Sequence, residues 1–366
     1  MRSTLLLLLA CLSLAACGVP PAEPIRIGLA VNLSGRGGDA GEHIRAGALL
    51  AIDEINGQGG IAGRPLELLV RDDGNSDEGV ANADRELLAA GVVAVIGHSQ
   101  SANTLKAYPT VTGGGTVLLT AYTAANSLSG KDDLFLRTSV DCNLYGEKTG
   151  GLLTAAGVRS LVALLDESNQ AFGEDFLASL RSHYRGSVTA VFFDSKTNPD
   201  WTVVTGRLLA PAPDAILLLT EATMTGFSAQ KLRMAGYQGP LFASIWAQTP
   251  ELFESGAGAV EGMAIVTFID AVNGRPSYRV FAGKMEKHFH KPATARSARA
   301  YELVHILADA LRRSGGAGGE QLKTALLAGR YDNLLGPVAF NRFGDVVRPV
   351  YEVVVEQGRF VTRREL

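Results

Sequence analysis

Short, continuous apolar runs alternate with longer stretches in which apolar residues return every three or four positions. The runs are Ile25–Val31, Leu66–Val70, Val92–Ile96, Thr116–Leu119, Leu134–Arg137, Leu161–Leu165, Val188–Phe193, Ala215–Leu219, Leu241–Ala243 and Met263–Phe268. Helix-period segments lie between most of them, among them Gly41–Asn56, Val80–Ala90, Asn143–Ala156, Glu174–Tyr184 and Thr225–Ala235. Strands that are apolar throughout, rather than at every second residue, are those buried on both faces. The alternation therefore predicts an α/β protein with two doubly wound parallel-sheet lobes, helices covering both faces of each sheet. A further helical block, Ala295–Arg313, ends at the glycine-rich Gly315–Gly319, and a last strand is expected over Val346–Val355. No repeat of 20–50 residues is evident.

The opening unit has the most internal order. Ile25–Val31 ends on the turn-forming Asn32-Leu33-Ser34-Gly35. A helix over Gly41–Asn56 follows, glycines 57, 59, 60 and 63 break it, and Leu66–Val70 closes the unit on Asp72 and Asp73. This strand–loop–helix–strand unit puts a loop at a strand's carboxyl end, where open α/β sheets bind ligands. Leu33-Ser34-Gly35, Gly47-Ala48, Ala51–Asn56 and Gly59–Gly63 stand in the order found at the start of the type I periplasmic binding proteins, in the branched-chain amino-acid branch of ABC-transporter solute receptors. The chain resembles that family again near its end, in Gly336-Pro337-Val338-Ala339-Phe340 followed by Gly344-Asp345. The resemblance spans Ile25 to Val355. It implies two lobes joined by three crossovers, near Val140, Asp270 and Asn341, so that 25–140 plus 271–340 form lobe 1 and 141–270 plus 341–366 form lobe 2. It also implies a ligand held in the cleft between the lobes and closed in by hinge motion.

The amino terminus changes the expected location. Met1–Ala16 carries Arg2 and the apolar stretch Leu5–Leu14, then reaches Leu14-Ala15-Ala16-Cys17, a lipobox. Residues 1–16 read as a lipoprotein signal peptide, too short to span a bilayer. Residues 17–24 read as a tether, with Cys17 carrying lipid and anchoring the protein at the membrane, in the periplasm or at the cell surface. Of the three cysteines only Cys142 would then remain in the folded body, so no intramolecular disulfide is expected. The formal charge is −3 for the whole chain. No basic run appears, which argues against nucleic acid as a partner.

Several chemistries lack their residues. The only triple glycine, Gly113–Gly115, follows a helix instead of opening one, so it does not cradle phosphate. No Gly-x-Ser-x-Gly elbow occurs, and Cys142 has no evident activating neighbour. His288 and His290 point apart on a helix without a third ligand, and Asp72–Asp77 lacks the bidentate glutamate of a calcium loop. No enzyme, cofactor or metal is expected.

The candidate site residues follow from the resemblance, each beside a structural alternative. Ser101 opens a helix after the strand end at Gly97-His98 and falls where the family's carboxylate-binding serine lies; the alternative is that Ser99 or Ser101 simply caps the helix. Thr123, in the loop Thr120–Ala125, could supply a second hydroxyl, although ungapped counting puts the family's threonine at Ala124. Tyr122 either lines the cleft or packs on the neighbouring strand. Phe172 stands where relatives place a tyrosine, keeping the aromatic wall without its hydroxyl. Glu221 could pair with an ammonium group on the ligand or sit at a helix start. Trp246 lies near the position of the acid that clamps an α-amino group, and Ala40 replaces an aromatic lid. Together these imply a solute receptor delivering a small amphipathic molecule (an amino acid, aromatic acid or amide) to an ABC permease. The competing reading is a ligand-sensing or regulatory lipoprotein on the same fold, without transport.

Overall fold

The computed structural model describes residues 22–35, 37–271 and 274–366. The signal segment, Cys17 and the start of the tether lie outside them. In lobe 1 the strands β1 (Ile25–Val31), β2 (Leu66–Asp72), β3 (Ala94–Gly97), β4 (Val117–Thr120) and β5 (Phe135–Arg137) alternate with the helices α1 (Gly38–Gly57), α2 (Asp77–Ala89) and α3 (Ser101–Gly113). They form one parallel sheet in the order β2-β1-β3-β4-β5. Successive side chains on a strand point to opposite faces. Ile27, Leu29, Ile96 and Leu119 accordingly enter one core cluster, and Ala30, Val95 and Leu118 enter another on the far face.

Lobe 2 repeats the plan. Helix α4 (Cys142–Ala155) leads into β6 (Ser160–Asp166), α5 (Gln170–His183), β7 (Ser187–Phe193), α6 (Trp201–Leu209), β8 (Ala215–Leu219), α7 (Ala222–Met234), β9 (Leu241–Ser244), α8 (Glu251–Gly256) and β10 (Ala264–Thr267). The parallel order β7-β6-β8-β9-β10 is that of lobe 1. The chain then returns to lobe 1 as α9 (Pro276–Phe289), α10 (Ala295–Arg313) and α11 (Gly319–Ala328). A small antiparallel sheet follows, made of β11 (Arg330–Asn333), β12 (Gly336–Phe340) and β13 (Val346–Val347). Finally β14 (Tyr351–Glu356) and β15 (Arg359–Glu365) extend the sheet of lobe 2, antiparallel beyond β10.

The strand expected over Val346–Val355 is two strands in different sheets. Pro349 lies between them, and without an N–H it cannot continue a ladder. The break marks the place where the chain crosses to lobe 2. The closing strand β15 carries no apolar run; it follows a tight turn in which both Gln357 and Gly358 have positive φ, the geometry of a two-residue hairpin.

The described parts of the crossovers include residues 138–141, 268–271 and 348–350, and one side chain touches all three. Arg348 donates to Thr138 O (3.3 Å), Leu335 O (3.1 Å) and Glu302 Oε1 (3.0 Å), and its guanidinium lies 4.6 Å from the Phe268 ring centre. Glu302 Oε2 also accepts from the Leu335 N–H at 2.8 Å. Beside them Arg137 donates to Asp345 Oδ1 (3.0 Å) and Ala125 O (2.9 Å).

Helix α10 lies directly on α1. A Cβ on Gly47 would stand 2.1 Å from the Ser297 carbonyl oxygen, so only glycine permits this approach. Ser297 itself is fixed by a capping box with Thr294. The glycine of the Gly47-Ala48 pair thus sets how close the start of α10 comes to the cleft.

Candidate ligand-binding cleft

The carboxyl ends of both parallel sheets face one another, and the loops after β3, β4, β6, β8 and β9 line the space between. An inner chamber of about 20 Å³ has room for little more than a water molecule. Ser99, Trp246 and Arg296 line both it and an adjacent outer chamber of about 460 Å³. The lobes touch across both: Ala102 N–H donates to Asn169 Oδ1 (3.2 Å), and Lys196 Nζ donates to Asn75 O (2.9 Å).

Ser101 is the first residue of α3 and is buried. Its hydroxyl does not cap the helix but accepts from the Ala124 N–H at 3.1 Å, tying the loop after β4 to the start of α3. Thr123 faces away from the chamber; its hydroxyl pairs with that of Thr104, while Ala124 lines the inner wall. Tyr122 lines the chamber too, and its hydroxyl donates to Arg296 O at 2.8 Å. Burial raises its phenol well above the usual range, so it stays a neutral donor. Phe172 and Trp246 meet edge to face, ring centres 6.1 Å apart, as the wall from lobe 2. Glu221 lies in the outer chamber, where its carboxylate accepts from Thr223 N–H (2.7 Å) and Met224 N–H (2.8 Å) and so caps α7. Burial pushes its carboxyl up, against the pull of those two amides. Ala40 borders the outer chamber only.

Four of the six expected residues thus reach the chambers as side chains: Tyr122, Phe172, Glu221 and Trp246. Ser101 shapes the wall from behind, and Thr123 turns inward.

Two residues absent from the expected set dominate the inner chamber. Arg296 and Arg299 project from the first turns of α10, both more than nine-tenths buried. Arg296 Nη2 donates to Trp246 O at 3.4 Å. The Arg299 guanidinium lies between the rings of Tyr122 (4.5 Å) and Phe268 (5.1 Å), donates to Ala121 O, and leaves its Nε without a partner. Burial pulls Arg299 down to about 10; Tyr122 and Tyr145 oppose the shift, while Arg296 and Arg348 add to it. It is still charged at neutral pH. The sequence did hold a signal. Arg296 and Arg299 lie in one row with Leu303, Leu307 and Ala310 on a helix that is buried on most of its sides, and a helix's positive first turn disfavours cations.

Behind the loop, His98 is wholly buried between two carboxylates, Nδ1 2.6 Å from Asp73 Oδ2 and Nε2 3.3 Å from Asp84 Oδ1. Burial acts to lower its pKa, but the two carboxylates overcome this and raise it to about 9. A histidine whose pKa is higher folded than unfolded stabilises fully below the unfolded value, about 6.5, and loses that contribution as pH rises through 9. The melting temperature is therefore expected to fall between pH 6.5 and 9. His98→Gln should flatten that slope. A wild-type curve that is level over this window would show that the imidazole is neutral in the folded protein.

The periplasmic binding protein family model matches residues 24–359. No curated protein matches the chain. Among solved structures, a leucine-binding protein from Thermotoga maritima shares 21% identity over 93% of this chain and 98% of its own, with a TM-score of 0.84. An ABC-transporter solute-binding protein from Rhodopseudomonas palustris, in complex with 3,4-dihydroxybenzoic acid, shares 19% over 94% and 97%, with a TM-score of 0.84. A second such protein from R. palustris, in complex with benzoate, shares 16% over 93% and 96%, with a TM-score of 0.82.

Proposed function

Given that the chain belongs to the periplasmic binding protein family, we propose that it is the solute receptor of an ABC importer for a small ring-bearing carboxylic acid. The observation that carries this is the lining of the inner chamber, where Arg296 and Arg299 stand beside Tyr122, Phe172 and Trp246 and no carboxylate is present. Guanidinium groups pair with carboxylates in two parallel hydrogen bonds, and aromatic walls suit a flat apolar body. An α-amino acid would need an acid near its ammonium. Trp246 stands close to where that acid is expected, and Glu221 is engaged with α7 in the outer chamber. The relatives bound to benzoate and dihydroxybenzoate support the same choice. Cys17 would tether the receptor outside the cytoplasm, and Cys17→Ser should release it from the membrane fraction.

Thermal-shift and calorimetric titrations with benzoate and with leucine test the reading. Benzoate at a hundredfold excess over its Kd should stabilise the protein by about 2.7 kcal/mol. Leucine should give no shift. Leucine binding that Glu221→Gln abolishes would instead make this an amino-acid receptor. Indifference to both ligands would favour the sensing or regulatory lipoprotein.

A further inference from the structure

Neither inner-chamber guanidinium has an ion-pair partner among the described residues. Arg296 has Glu251 and Glu221 as its acidic neighbours, both beyond ion-pair distance; Glu251 is turned toward His43 Nε2, 3.9 Å away. Arg299 has no carboxylate within ion-pair distance among the described residues, and Glu302, one turn further along α10, is taken up by Arg348. The charged groups around Arg299 are Arg296 and Arg348.

Two buried cations three residues apart, at the positive end of a helix, repel each other and are poorly solvated. The rest of the protein treats its buried charges differently. Arg348 meets Glu302, Arg137 meets Asp345, and His98 meets Asp73 and Asp84. Buried cations are compensated everywhere in the described fold except where they face the chamber. The two arginines also differ in reach: Arg299 borders only the inner chamber, whereas Arg296 borders both. The Arg299 Nε, buried and without a partner, is a free donor.

Resting on the carboxylic-acid reading above, we infer that the receptor selects a ring-bearing dianion, a dicarboxylate whose first carboxylate meets Arg299 inside and whose second meets Arg296 at the boundary between the chambers. The ring lies between them, against Tyr122, Phe172 and Trp246. A monoacid leaves one buried guanidinium unpaired, and that missing bond is the basis of discrimination. Seating the ring requires Phe172 and Trp246 to part from the opposite wall, since the inner chamber as it stands holds about 20 Å³.

The test compares three probes by calorimetry: benzene-1,4-dicarboxylate, its half-amide 4-carbamoylbenzoate, and benzoate. The first two share a shape and differ by one charge. The dicarboxylate should bind roughly tenfold to hundredfold more tightly than the half-amide, the worth of one hydrogen-bonded charge. Arg296→Gln and Arg299→Gln should each bring the two within about threefold of one another, the same charge contribution being lost. Should Arg299→Gln fail to fold, Arg296→Gln carries the comparison, with its melting temperature as the control. Equal binding of dicarboxylate and half-amide overturns the dianion inference and leaves the acid receptor standing. A preference that survives both arginine variants also overturns it, because the charge is then read elsewhere. Failure of all three probes to bind removes the acid-receptor reading as well.

Discussion

Glu302→Ala should destabilise the protein by about 3–5 kcal/mol, the usual cost of removing one partner from a buried ion pair. The loss is large because Arg348 stays behind, buried beside Arg299 and the face of Phe268, with the neutral Thr138 and Leu335 carbonyls as acceptors. The Leu335 N–H loses its acceptor at the same time. Total stabilities are on the order of 5–15 kcal/mol, so such a variant sits near the folding threshold. A chemical-denaturation midpoint measures the effect. Replacing both residues, as Glu302→Leu with Arg348→Met, should recover much of it, since apolar groups of similar volume often substitute for a buried pair. A Glu302→Ala midpoint equal to wild type would mean that water or a neighbouring group takes over the charge.

A second large effect is expected from Gly47→Val. The added side chain would meet the Ser297 carbonyl at 2.1 Å and its Cα at 2.8 Å, and backbone held by a capping box yields little. Overpacking costs of 1–3 kcal/mol assume that side chains can shift; here a helix must move, and about 3 kcal/mol or more is expected. The displacement would also carry Arg296 and Arg299 away from the chamber, so binding of an acidic probe should weaken together with stability. Gly57 on the same helix is the control, because a Cβ there meets nothing within 4 Å. Gly57→Ala should leave the melting temperature unchanged or raise it slightly. If Gly47→Val melts like wild type, the contact between α1 and α10 is softer than the structure depicts.

The strands and helices of both lobes were legible because burial on both sheet faces leaves continuous apolar runs, as in Leu161–Leu165 and Ala215–Leu219. The crossover at Pro349 and the last hairpin were not, since Val346–Val355 is apolar on both sides of the break and Arg359–Glu365 is mostly polar. Within the site, the residues that reach the chambers follow strand ends, as Tyr122 and Trp246 do, or open the next helix, as Phe172 does. Thr123 and Ala124 were harder to separate. A loop has no period, so one residue of register decides which side chain faces the chamber, and here it is Ala124. Arg296 and Arg299 escaped because basic residues on a long helix ordinarily mark its solvated face. Only the coincidence of positive charge with the apolar stripe running to Leu303 and Leu307 gives them away.

The threefold passage of the chain between the lobes also has a temporal consequence. Lobe 1 completes the cover on one face of its sheet only when α10 and α11 are available, and the sheet of lobe 2 lacks two strands until residue 365. A chain emerging amino terminus first therefore cannot finish either half early. The edge of β10 at Ala264 waits for Val354, and the core under β1 to β5 waits for the stretch from Ala300 to Leu326. Loop closure over such distances is slow. A chain that completes its cores this late stays exposed to aggregation until the last hairpin pairs.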